Sequence, residues 1–66
     1  VMLNILSEKK INRIEIHNIN GSIVYNKENI YKTHLNIVTS DFKPGIYFAK
    51  IVLINGTTNT RKILIK

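Results

Sequence analysis

Phe42-Lys43-Pro44-Gly45-Ile46-Tyr47-Phe48-Ala49-Lys50-Ile51 runs on through Val52-Leu53-Ile54 to a turn signal at Asn55-Gly56, and then to Thr60-Arg61-Lys62-Ile63-Leu64-Ile65-Lys66. The whole stretch reads as a β-hairpin. Proline presets φ to about −65° at the second position of a type II turn, and glycine accepts the positive φ of the third. Pro44-Gly45 therefore predicts a type II turn, and residues 46–54 a single strand. One side of that strand carries Ile46, Phe48, Val52 and Ile54, and the other Tyr47, Ala49, Ile51 and Leu53. Such a strand is expected at the centre of a structure, covered on both faces. Lys50 interrupts the run, and its alkyl stem can be buried while the ammonium reaches water.

Working outward, further strand-like segments recur at short spacing between turn signals, which is the all-β pattern. Residues 2–6 form a first candidate. In residues 11–18, Ile14 and Ile16 share one face while Arg13, Glu15 and His17 share the other, so this strand is expected to be half-buried. Asn20-Gly21 predicts a type I′ hairpin turn, in which both central residues take φ > 0, with Ile23-Val24-Tyr25 returning. Residues 26–33 are polar and aperiodic and read as a loop. His34 to Val38 gives another strand, and residues 46–54 and 58–65 pair across Asn55-Gly56. In the last strand Ile63, Ile65 and Leu64 are expected to bury while Lys62 and Lys66 project and discourage edge-to-edge pairing. Six or seven short strands imply two sheets packed face to face in an antiparallel sandwich.

The chain has 66 residues, enough for one small domain. Ordering them costs roughly 100 kcal/mol of conformational entropy, which apolar burial must nearly cancel. There is no cysteine, so neither a disulfide nor a thiolate metal site can add stability. No apolar run approaches the roughly 20 residues of a membrane helix, so no membrane span is expected. Val1-Met2-Leu3-Asn4-Ile5-Leu6 is too short for a signal peptide and opens directly on a strand-like pattern, as expected of a piece of a longer secreted protein with an incomplete N-terminal edge.

The formal charge of +6 suggests an anionic partner. The charges are scattered, however, with Lys9-Lys10 and Arg61-Lys62 the only adjacent basic pairs, so specific nucleic-acid binding is not expected. An Asn-, Ile- and Lys-rich composition also fits an AT-rich genome.

Catalytic and metal-binding machinery is not visible. His17 and His34 have no metal-ligand spacing, and Glu8, Glu15, Glu28 and Asp41 suggest no carboxylate pair, so no catalytic residue, metal or cofactor is expected. Asn20-Gly21-Ser22 and Asn55-Gly56-Thr57 match the N-glycosylation pattern, but each has a backbone reason to be Asn-Gly. Tyr25, Tyr31 and Tyr47 read as packing residues. Their rings also leave open an alternative, a binding module for carbohydrate or a protein partner.

Taken in order, Arg13-Ile14-Glu15-Ile16-His17-Asn18-Ile19-Asn20-Gly21-Ser22-Ile23-Val24, Leu35-Asn36-Ile37, Phe42 to Ile51 and Arg61-Lys62-Ile63-Leu64-Ile65-Lys66 resemble the type A C-terminal sorting domain of type IX secretion substrates. The resemblance covers nearly all of residues 1–66. It implies an immunoglobulin-like β-sandwich of Bacteroidetes proteins that is not an enzyme. It also implies a signal recognised by the outer-membrane translocon, carried behind an N-terminal cargo domain of the same precursor and typically removed by a surface sortase. Localisation would be periplasmic in transit, then cell surface or medium. Carried onto this chain, the recognition positions are Gly45, Tyr47 and Lys50 in the penultimate strand, with Lys62, Ile63, Ile65 and Lys66 in the last. Two departures stand out. Family members usually open with an Asn-Pro segment where this chain starts at Val1-Met2-Leu3, and His17 stands where Tyr is common.

Overall fold

The computed structural model describes residues Met2 to Lys66, so Val1, the first residue of the opening segment, lies outside the described residues. Five strands follow one another: β1 Met2–Asn18, β2 Ile23–Lys27, β3 Lys32–Val38, β4 Gly45–Leu53 and β5 Thr58–Ile65. They form one antiparallel sheet in the order β2-β1-β4-β5, with β3 also paired to β1. The chain is all-β, as expected, but with five strands in place of six or seven. Residues 2–6 and 11–18 are one strand of 17 residues. The reason is local: Ser7-Glu8-Lys9-Lys10 contains no glycine or proline to end a strand.

The long strand is irregular where those polar residues lie. Its register to β3 shifts between Leu6 and Ile11, and its register to β4 between Ile11 and Arg13. Ile11 pairs with Leu53 of β4 and with Lys32 of β3, so β3 lies on the side of β1 away from β4. β2 pairs with residues 14–17 on that same side. β2 and β3 thus follow one another along a single edge of β1.

Ile5 from the first half of β1 and Leu35 and Ile37 from β3 share one core with Ile14, Ile16, Tyr47, Ala49 and Ile51. The sheet therefore folds over on itself, giving the two facing layers of a small sandwich. Its thinnest extent, 16 Å, accommodates layers about 10 Å apart. Ile11, Ile14, Ile16, Ile37 and Ile51 are fully buried, each worth about 1.5–3 kcal/mol relative to exposure. β-Branching suits them to both strand geometry and close packing.

β4 is central within the sheet but is not covered on both faces. Tyr47, Ala49, Ile51 and Leu53 are buried, whereas Ile46 and Phe48 are 37% and 39% exposed. In a two-layer sandwich each layer is covered on its inner face only. Leu64 likewise does not bury: it is 61% exposed, while Ile63 and Ile65, on the opposite face of β5, pack against the core.

The two Asn-Gly turns are also not of type I′. Gly21 N–H donates to Asn18 C=O and Asn18 N–H to Ser22 C=O, each at 3.0 Å. Gly56 N–H to Leu53 C=O (3.0 Å) and Leu53 N–H to Thr57 C=O (2.8 Å) repeat the pattern. Only the glycines take positive φ, +85° and +89°, while Asn20 and Asn55 do not. This is the three-residue hairpin loop in which a type I turn is closed by a left-handed glycine. Asparagine contributes through its side chain: Asn18 Oδ1 accepts from the N–H groups of Asn20 and Ser22, and Asn55 Oδ1 from that of Thr57.

The proline corner differs as well. Gly45 has φ +152°, far from the value near +80° that a type II turn needs, and it already belongs to β4. A hydrogen-bonded turn lies just upstream, where Phe42 N–H donates to Thr39 C=O at 3.0 Å.

A free strand edge at the candidate recognition site

β5 pairs with β4 without a break from Val52↔Thr58 to Gly45↔Ile65. Among the described residues its other edge has no strand partner. The positions singled out in the sequence fall on these two strands in a definite order. Gly45 is opposite Ile65 and Tyr47 opposite Ile63, all on the inner face, while Lys50 is opposite Thr60 and Lys62 opposite Phe48 on the outer face. Lys66 follows directly after β5 and is exposed.

The inner group is structural in its contacts. Tyr47 is only 7% exposed, and its hydroxyl donates to Lys43 C=O at 2.6 Å. Its ring meets that of Phe42 with centroids 5.4 Å apart. This bond back to the backbone four residues upstream pins the proline corner to the strand, as a tyrosine corner does in immunoglobulin-type sandwiches. Gly45, at a φ that side chains rarely adopt, lets the chain leave that corner straight into β4.

The outer group is cationic. Lys50 is half-buried opposite Glu15 of β1. Glu15 is already engaged by Arg13 at 2.8 Å and lies 3.5 Å from His17 Nε2. Lys62 is exposed beside Phe48. The tyrosines do not act alike: Tyr47 is buried, Tyr25 packs against the core, and Tyr31 is 56% exposed. Among the described residues no three His, Asp or Glu side chains are grouped to hold a metal.

Sequence reasoning missed the slot beside β5. The first half of β1 is paired with β3 on one side, and among the described residues its other edge has no strand partner. Met2 and Leu3 line a cleft of about 450 Å³ together with Phe42, Ile63 and Ile65. Leu6, Glu8 and Lys9 line a second, of about 370 Å³, together with Asn59 and Arg61. Between them Arg61 Nη2 donates to Leu6 C=O at 3.3 Å, across 55 residues of sequence. The signal was present in the period-two spacing: Arg61 shares a face with Ile63 and Ile65, a cation at the point where that row passes from half-buried isoleucines to exposed polar residues.

A comparison with curated proteins finds no match. The family described as the secretion system C-terminal sorting domain matches residues 1–66, the whole chain. That family is one of sorting signals and not of enzymes, and it implies Bacteroidetes and export to the cell surface or medium. By this match from end to end, the chain belongs to the type IX secretion system C-terminal sorting domains.

Proposed function

We propose that this domain is the address by which the type IX outer-membrane translocon recognises folded cargo. The cargo is an N-terminal domain of the same precursor; it passes through the periplasm and emerges at the surface or in the medium, where a sortase typically removes the signal. The observation that carries this reading is the family match over residues 1–66. Physical support comes from β5, whose unpaired edge offers backbone donors and acceptors for strand addition. Lys62, Lys66 and the outward-facing Lys50 are the candidate charged contacts, and Gly45, Tyr47, Ile63 and Ile65 hold the edge in place.

The test is a fusion of residues 1–66, with the native upstream linker, to a periplasm-directed fluorescent protein. It is expressed in a type IX-competent bacterium and in a translocon-deficient mutant. Translocon-dependent reporter at the surface or in the medium is the expected result. Periplasmic retention in both strains, with the domain folded, overturns the reading and favours a binding module.

A further inference from the structure

We propose that the slot between β5 and the first half of β1 receives an extended acidic segment of the export partner, added as a strand on the free edge of β5. The inference rests on the sorting reading and names the chemistry of the partner.

Two strand edges without a strand partner among the described residues, that of β5 and that of residues 2–6 in β1, line the same two clefts here. An edge strand presents alternating N–H and C=O groups that a further extended chain can satisfy. β5 has eight residues, which at about 3.4 Å per residue offers some 27 Å of continuous edge. At one end, Leu3, Phe42 and Ile65 line the 450 Å³ cleft, which suits an apolar side chain of the incoming strand.

Charge selects between occupants. Residues 58–66 carry Arg61, Lys62 and Lys66 and no acid, and the facing wall from β1 adds Lys9 and one acid, Glu8, so the slot stays net basic. A second copy of β5 laid antiparallel on this edge would bring cations toward cations, and like charges across strands are destabilising. A segment with carboxylates at alternate positions meets the opposite situation. Arg61 forms no ion pair among the described residues, and its guanidinium is held by one long bond to a neutral carbonyl. A carboxylate accepts from a guanidinium through shorter, charge-assisted and often paired bonds, about twice as strong as neutral ones. An acidic strand can therefore displace the Arg61–Leu6 contact and take the freed guanidinium itself.

The probe is a synthetic eight-residue peptide of alternating valine and glutamate, with a valine–lysine peptide as its control. Each is titrated into the isotopically labelled 66-residue chain, and amide hydrogen exchange is followed residue by residue. The glutamate peptide is expected to protect β5 amides and to bind at least ten-fold more tightly than the lysine peptide. Arg61→Glu should narrow or reverse that preference, and Arg61→Gln, closer in shape, should reduce it several-fold with the native spectrum retained. Equal affinity for the two peptides, protection confined to β2 and β3, or β5 protection that depends on protein concentration alone would each overturn the proposal. Translocon-dependent export of the fluorescent fusion alongside any of those results sinks the acidic-strand inference and leaves the sorting reading standing. Translocon-independent behaviour of the fusion removes the sorting reading whatever the peptides do.

Discussion

The two long edges of this sheet are guarded by different means. Along β1 the edge is broken: β2 has five residues and β3 seven, separated by residues 28–31 in which Asn29 and Tyr31 take φ of +54° and +51°. Those two reversals turn Ile30 into the core, where it is 7% exposed, while Ile30 N–H and Tyr31 N–H still donate to Asn12 and Ile11 carbonyls. A further irregularity separates Ile16 and His17 in the pairing with β2. The β5 edge has none of this. Its pairing with β4 runs without a register shift, and its residues are basic. Irregular backbone blocks every added strand, whereas charge blocks only strands of the same sign. A guard of the second kind is conditional, which is what an edge needs if it must avoid its own copies and still admit a partner.

The largest test of this contrast is truncation of residues 63–66. It removes the half-buried Ile63 and Ile65 and the pairings to Gly45, Ile46 and Tyr47. Two half-buried isoleucines amount to about 2 kcal/mol, and the lost pairings add to that. Small domains have total stabilities of only about 5 kcal/mol, so the cooperative urea transition should be severely weakened or absent. A midpoint close to that of the full chain would mean β5 is an accessory and not part of the fold.

Ile30→Ala probes the other edge. If the break exists to plant this side chain in the core, the cost should be about 2–3 kcal/mol by urea unfolding. A change below about 0.5 kcal/mol, the range of an ordinary surface position, would make residues 28–31 a plain loop.

Gly45→Ala should cost about 1 kcal/mol or more. No atom lies within 4 Å of a Cβ placed there, so the expense is the φ of +152° and not a clash. D-Alanine, introduced by chemical synthesis, should therefore be tolerated far better than L-alanine. Equal destabilisation by both enantiomers would refute the backbone explanation.

What was legible in the sequence follows the same division. Period-two alternation placed Ile14 and Ile16 inward and Arg13, Glu15 and His17 outward, and the structure agrees. The pairing of residues 46–54 with 58–65 was likewise visible, because alternation and turn residues act locally. The fold-over of the sheet was not visible. It depends on which face of β4 the β1–β3 layer reaches, and the sequence of β4 is apolar on both. Ile30 was hidden because its neighbours are polar and the reversals that bury it lie at Asn29 and Tyr31, of which the latter carries no turn signal. The Asn-Gly dipeptides located both hairpins but misled on turn type, since the asparagine caps through its side chain and leaves positive φ to glycine. Among the candidate site residues, Lys62 and Lys66, expected to project, are exposed. Arg61, facing the slot, needed the three-dimensional approach of β1 to be noticed.

The smallest expected change in folding stability belongs to the charges themselves. Lys62→Val with Lys66→Val should alter the unfolding free energy by less than about 0.5 kcal/mol, since both side chains are exposed. Its effect should appear in association instead. Without those cations, β5 keeps its eight-residue edge, the exposed Leu64 beside it, and a valine at position 62 that favours strand pairing. Sedimentation at increasing concentration should then show a dimer that the unaltered chain does not form under the same conditions. Lys27→Val with Lys32→Val removes as much charge from the other edge, and it should leave the chain monomeric because the reversals at Asn29 and Tyr31 still interrupt any added strand. Salt supplies the same test without mutation: at about 1 M the screening length falls to about 3 Å, so the unaltered β5 edge should begin to self-associate. If both double variants dimerise alike, or neither does, the two edges are not guarded by different means.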